Sequence, residues 1–166
     1  MARFWRWSGS GFTIAPAIIS ARGRCPRNGT RRMWSASRVI LGYAGVVWRE
    51  IEHACEVFKA YGLSSVYTFP HYRRAGLGCR VVRRATAEIE QAGDGDIALL
   101  FTYDALEPFY RRCGWQVMPG MRCLIGQRAR PVVHDSVAMM LFLSAKGYQH
   151  RSAFEHARVY VGYDPW

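Results

Sequence analysis

The chain reads as an α+β domain built around one mixed sheet, and three features of the sequence predict this. Strand-like apolar runs crowd the stretch from Val39 to Thr68. A strand, an amphipathic helix and a second strand follow between Leu63 and Phe101. Short apolar runs then return between Val117 and Leu143. Strands at both ends with a crossover between them make one sheet with helices laid against it. At 166 residues the chain can bury roughly two-thirds of its unfolded surface in one core, and two domains are not expected.

Val39 to Val47 is apolar but interrupted by Gly42 and Gly45, so it reads as one strand or two joined by a turn, with Arg49 to His53 continuing the meander. Leu63 to Thr68 is the next strand. The run from Cys79 to Ile89 is helical, because Leu77, Val81, Ala85 and Ile89 recur every four residues on one face. Arg80, Arg83, Arg84 and Glu88 lie opposite and read as a solvated face. Gly93-Asp94-Gly95-Asp96 is a turn, and the unbroken apolar run Ile97 to Phe101 is that of a strand buried on both sides. Asp104 and Glu107 have capping-box spacing, and Gly114 stops a helix after Cys113, which places a short helix around Tyr110. Val117-Met118, Arg122 to Gly126 and Val137 to Leu143 supply the remaining strands. There is no internal repeat.

The formal net charge of +11 is unevenly placed: residues 1–49 hold nine arginines and no acid, whereas residues 50–166 hold 14 Lys and Arg against 12 Asp and Glu. The body is therefore nearly neutral, which argues against nucleic acid as its partner. Binding of that kind would belong to the Arg/Trp-rich first 49 residues and would weaken steeply with salt. Residues 1–37, with Phe4, Trp5, Trp7 and Phe12 among arginines and no clear helical periodicity, read first as a poorly ordered or atypical start of the domain, with an organelle transit sequence or a membrane-surface contact as the other readings. Residues 38–166 form the domain. Ala15 to Ala21 is short for a secretory signal, and no run approaches membrane-spanning length, so no membrane partner is expected.

Five cysteines, at positions 25, 55, 79, 113 and 123, include no Cys-x-x-Cys pair. That fits neither a disulfide framework nor a zinc site, and a reducing cytoplasm is the natural setting. His53 with Cys55, and His150 with His156, are the nearest approaches to ligand pairs, but a spacing of six puts the latter on different helix faces. No metal is expected. Cys79 reads first as a small packing residue and second as a reactive thiol at a helix start.

The functional signal is Arg73-Arg74-Ala75-Gly76-Leu77-Gly78, lying between the strand ending at Thr68 and the helix. A helix start has unpaired N–H groups and partial positive charge, so it stabilises an anion. Gly76 and Gly78 can take backbone angles closed to other residues, and neither puts a Cβ between those amides and a phosphate. The spacing matches neither the Gly-x-x-x-x-Gly-Lys-Ser/Thr nucleotide loop nor the Gly-x-Gly-x-x-Gly dinucleotide loop. A tight turn with solvated arginines is the alternative reading of these residues alone.

The stretch Pro70-His71-Tyr72-Arg73-Arg74-Ala75-Gly76-Leu77-Gly78 resembles the central motif of the GNAT acyl-CoA N-acyltransferases, Arg-x-x-Gly-x-Gly or Ala with a proline three residues ahead. One helix and one strand later, Phe109-Tyr110-Arg111-Arg112-Cys113-Gly114-Trp115 is similar to that family's second motif, a tyrosine on a short helix followed by Gly and an aromatic. Together the resemblance covers about residues 38–126. It implies a GNAT-like acyl-CoA N-acyltransferase fold, with a central mixed, mostly antiparallel sheet flanked by helices that splays beside the cradle.

The resemblance further implies transfer of an acetyl group from acetyl-CoA to a primary amine of a small molecule, both bound together. Backbone groups of Val66, Tyr67 and Thr68 would pair with the pantetheine arm, Arg73, Arg74, Ala75, Gly76, Leu77 and Gly78 would enclose the pyrophosphate, and Tyr110 would protonate the departing thiolate. Arg83 or Arg84 touching the nucleotide end is a second reading of the polar helix face. The general base is not placed; Glu50, Glu52, Asp104 and Glu107 are candidates. In the aminoglycoside 2′-N-acetyltransferase branch the chain ends in Asp-x-Trp, and this one ends Asp164-Pro165-Trp166, which makes Asp164 and Trp166 the substrate-binding candidates. That branch has a Glu where this chain has Ser64. A noncatalytic acyl-CoA-binding or interaction module is the alternative. The acceptor, the acyl length and a homodimeric assembly are left open by the sequence.

Overall fold

The computed structural model describes residues 17–22 and 38–165, with the backbone alone for residues 17–22, 38 and 39. In chain order the elements are β1 (Ala17–Arg22), β2 (Arg38–His53), β3 (Glu56–Thr68), α1 (Leu77–Ala92), β4 (Ile97–Thr102), α2 (Glu107–Arg112), β5 (Gln116–Val117), β6 (Arg122–Ile125), β7 (Val132–Val133), β8 (Val137–Phe142), α3 (Ala145–Gln149) and β9 (Arg158–Gly162). The main sheet runs β1-β2-β3-β4-β8-β5, and β7-β6-β9 forms a second one. Within the main sheet β3 and β4 are parallel and every other pair is antiparallel.

The mixed, mostly antiparallel sheet and its flanking helices match the expectation, with four differences. The expected single sheet is two, because β6 leaves the main sheet and takes β9 as a parallel neighbour. The glycines of β2 do not split it: Gly42 lies where a Cβ would come within 2.8 Å of Tyr67 O and 3.2 Å of Val81 Cγ2, so glycine lets α1 close on the strand. Residues 17–22, placed by sequence in the atypical start, pair antiparallel with β2, Ala17 opposite Ala44 and Arg22 opposite Arg38. The Asp104–Glu107 capping box does not form. Residues 104–106 make a 3₁₀ turn instead, which puts Glu107 in the first turn of α2, where its carboxylate accepts from Arg111 Nε at 2.5 Å.

Alternation along the strands gives the main sheet two dissimilar faces. On one face Ala44, Val46, Leu63, Ala98 and Leu100 pack with Val81, Val82, Ala85 and Ile89 of α1. On the other, Ile51, Phe58, Ala60, Ile97 and Leu99 pack with Cys123, Val159 and Val161 of the second sheet. Arg49 ties this second face together, its Nη1 donating to Val161 O at 2.5 Å and Asp164 O at 3.1 Å. The turn residues read from sequence serve as expected: Gly93 caps α1 with φ 69° and Gly114 follows α2 with φ 105°.

Candidate active site

The site begins with a strand that runs out of partners. β3 pairs with β4 only through Ala60–Ile97, Tyr61–Ala98 and Gly62–Leu99; beyond them the two strands part. The cause lies on the other edge of β3. Tyr43 faces Tyr67 while Gly45 faces Ser64, so β3 carries one residue more than β2 there, and Ser65 takes up the excess at φ 50°. Such a bulge bends its strand. Phe69 N–H donates to Leu41 O on the β2 side. Since neighbouring residues turn their backbone groups to opposite edges, Tyr67 also faces β2, while Val66 and Thr68 face the gap. Of the three residues expected to pair with a pantetheine arm, Val66 and Thr68 therefore offer the open edge, and Thr68 O already accepts from Arg73 Nε at 2.9 Å.

The cradle follows directly. Gly76 sits at φ 72° as the N-cap of α1, and no heavy atom lies within 4 Å of where its Cβ would be. The first backbone bond into the helix is Arg80 N–H to Gly76 O at 3.2 Å, so among the described residues the amides of Leu77, Gly78 and Cys79 have no backbone acceptor. Arg74, at φ 63°, and Ala75 are exposed on the loop before them. Arg73 turns aside: besides holding Thr68 O, its guanidinium lies 5.7 Å from the Tyr67 ring. Arg83 Nη2 donates to Arg112 O at 3.1 Å and Arg84 pairs with Glu88, which makes both structural.

The two sequence motifs meet at Gly78. A Cβ there would stand 3.3 Å from Phe109 Cζ and 3.4 Å from Thr68 Oγ1, so the first turn of α1 is wedged between the open end of β3 and α2. Tyr110, next to Phe109, is 9% exposed, and among the described residues its hydroxyl has no hydrogen-bond partner. Burial, and then Cys113 nearby, push its pKa above the ordinary phenol value, so the group keeps its proton. Trp115 locks α2 to α1, its Nε1–H donating to Thr86 Oγ1 at 3.1 Å.

On the sheet face away from α1, Tyr43 and Tyr67 stack at 5.6 Å and Tyr67 meets Phe69 at 5.2 Å. Across the gap on the same face, Phe101 of β4 touches the half-buried ring of His134 at 5.8 Å. His134 Nδ1 shares a 2.6 Å hydrogen bond with Ser136 Oγ, and Nε2 has no partner among the described residues. Sequence reasoning did not single out this imidazole, which carries no motif and comes beside Phe101 through the pairing of β8 with β4. Glu50 and Glu52 lie towards the hairpin end of β2, opposite Lys59 and Val57, and Glu52 is paired with Arg128. Asp104 is exposed just beyond β4. Asp164 is exposed at the end of β9, and Trp166 lies outside the described residues.

A family model described as an acetyltransferase (GNAT) domain matches residues 29–117, more than half of the chain and both motifs up to Trp115. The chain belongs to the GNAT acetyltransferase family. No curated protein sequence matches it. Solved structures resemble the chain at low identity. The AtaT toxin bound to the C-terminus of the antitoxin AtaR is 14% identical, with 69% of this chain and 66% of that chain covered and a TM-score of 0.50. For the GNAT family N-acetyltransferase YhbS from Escherichia coli in complex with CoA the figures are 17%, 73%, 59% and 0.49. For the NatC complex bound to Gag peptide and CoA they are 17%, 68%, 67% and 0.47. The chain spans between 59% and 67% of the length of these three structures. Among the described residues no helix is long and apolar enough to cross a membrane, and no group of three or more His, Cys, Asp or Glu could hold a metal ion.

Proposed function

We propose that the protein is an N-acetyltransferase that moves an acetyl group from acetyl-CoA to a primary amine of a small molecule, with both bound at once. The observation that carries this reading is the junction at Gly78, where unpaired helix amides, the open edge of β3 and the helix bearing Tyr110 converge. The amides of Leu77, Gly78 and Cys79 suit a pyrophosphate, and Gly76 leaves room for it. The free backbone of Val66 suits the amides of a pantetheine arm. Holding thioester and amine together in attack geometry offsets roughly 7–11 kcal/mol of the barrier.

The amine nitrogen then bonds to the thioester carbon, the C–S bond breaks, and the leaving sulfur takes the proton of Tyr110. The amine enters from the face away from α1, where Tyr43, Tyr67 and Phe69 form an aromatic wall. The proton it loses goes to His134 Nε2, whose ring Ser136 holds in place. A cationic acceptor of the aminoglycoside type would pair with the exposed carboxylate of Asp164, the substrate-binding candidate just after β9. The test is thiol release from acetyl-CoA with kanamycin, spermidine and a peptide amine as acceptors, with acetylated product identified by mass. Saturable release with a small amine supports the reading. Release with the peptide alone refutes the small-molecule acceptor, and acetyl-CoA binding without turnover on any amine favours an acyl-CoA-binding module.

A further inference from the structure

Two thiols with no part in the transfer chemistry meet between α1 and α2. Cys79 is half-buried in the first turn of α1, and Cys113 is buried just after α2. Their sulfurs are 2.7 Å apart, Cys113 donating to Cys79. The pair is thus close to the roughly 2.05 Å of a disulfide bond. Cys79 Sγ in turn donates a long hydrogen bond to Arg112 O at 4.0 Å, a carbonyl that also accepts from Arg83. The remaining described cysteines lack such a partner: Cys55 is exposed at the β2–β3 turn and Cys123 is buried under the second sheet.

We propose that Cys79 and Cys113 form a reversible oxidation site, closed to an intramolecular disulfide by a two-electron oxidant, either a hydroperoxide or a small disulfide such as oxidised glutathione. Cys79, the accessible thiol, reacts first. With hydrogen peroxide its sulfur attacks one oxygen, the O–O bond breaks, and a sulfenic acid and one water result. Cys113 sulfur then attacks Cys79 sulfur, the S–O bond breaks, and the oxygen leaves as a second water with the Cys113 proton. Two thiols lose two electrons and the peroxide gains them. With oxidised glutathione, Cys79 forms a mixed disulfide and Cys113 expels the second glutathione thiol. Burial, and then the hydrogen bond to Cys79, push the Cys113 thiol up to about 12, which leaves the initiating attack to Cys79.

The bond ties the helix that forms the cradle to the helix that carries Tyr110. The sulfurs need to close by only about 0.65 Å, the difference between their 2.7 Å separation and a disulfide length, so the cradle keeps its shape. The oxidised protein is therefore more stable, because the unfolded chain is constrained, while its acetyl-CoA affinity changes less than about threefold.

The test treats the whole chain with hydrogen peroxide or oxidised glutathione, blocks free thiols with iodoacetamide and maps peptides by mass. The expected product is one Cys79–Cys113 linked peptide, two hydrogens lighter, with a thermal midpoint raised by several degrees and restored by dithiothreitol. Cys79→Ser at its half-exposed site, and Cys113→Ala, each remove both effects. Both thiols still alkylated after oxidation would overturn the proposal, as would Cys79 carrying glutathione while Cys113 remains free. A linked peptide with no rise in midpoint overturns the clamp. If a variant does not fold, the wild-type map decides alone, and none of these readouts needs amine turnover.

Discussion

Tyr110 and Gly78 show how single residues carry the proposed chemistry. Tyr110 is buried without a hydrogen-bond partner among the described residues, a costly state for a hydroxyl unless something else meets it. In the proposed reaction a departing thiolate meets it. Tyr110→Phe is expected to leave acetyl-CoA affinity within about twofold and lower turnover by about 10²- to 10⁴-fold, read by calorimetry and thiol release. His134→Gln should likewise spare acetyl-CoA binding and slow transfer, by at least about tenfold on the same scale; unchanged turnover would remove His134 from the mechanism. Tyr110 and both glycines are legible in the sequence because their motifs are local. His134 is not, because Phe101 and His134 meet through strand pairing across the sheet. The two glycines prove to have different jobs, which spacing alone does not separate. Gly76 supplies a left-handed turn with open space beside it, while Gly78 supplies close packing between Thr68 and Phe109.

At the scale of elements, β3 positions everything else. Its bulge at Ser65 turns the strand away from β4 and so leaves the open edge that the proposed function gives to the pantetheine arm. No glycine marks that residue, so the sequence gives no warning of where the strands part. The hairpin before it is equally silent: Ala54 and Cys55 both hold positive φ, at 49° and 64°, where Asn-Gly would be the expected pair. The left-handed conformation costs an ordinary residue roughly 1–2 kcal/mol. Replacing Ala54 and Cys55 by Asn and Gly is therefore expected to stabilise the fold by about 1 kcal/mol or more, measured by urea unfolding, with acetyl-CoA binding unchanged. The misread capping box has a related cause: a 3₁₀ turn moves Glu107 from the third helical position to the first, and Arg111, one turn on, captures it.

For the molecule as a whole, β2 to β4 and α1 are the part whose apolar periodicity and turn glycines lie within the family match, and the C-terminal half is harder to read. β9 is short and α3 spans five residues, so neither shows a period. Both nevertheless complete the second face of the core through Val159, Val161 and the adjoining Phe154. The two faces of the core together hold several acids in their neutral form. Burial raises Cys123 to about 12, and Cys113 is raised to about 12 as well. Tyr61 is raised by burial and by its bond to Asp94, and Tyr110 by burial. Above about pH 8.5 the unfolded chain loses cysteine protons that the native state keeps, so stability falls as pH rises from there towards the folded values. The urea midpoint is expected to hold between about pH 7 and 8 and to drop by pH 10, less so in Cys123→Ala, where that group's contribution is absent. The central claim is that the loop before α1 cradles the phosphates of acetyl-CoA. Calorimetric titration with acetyl-CoA of the wild type and of Gly76→Asp tests it most directly, because Asp tolerates the left-handed turn and places a negative charge in the open space there. The account predicts saturable one-to-one binding that the still-folded variant loses; equal affinity in both proteins, or no binding by the wild type, would contradict it.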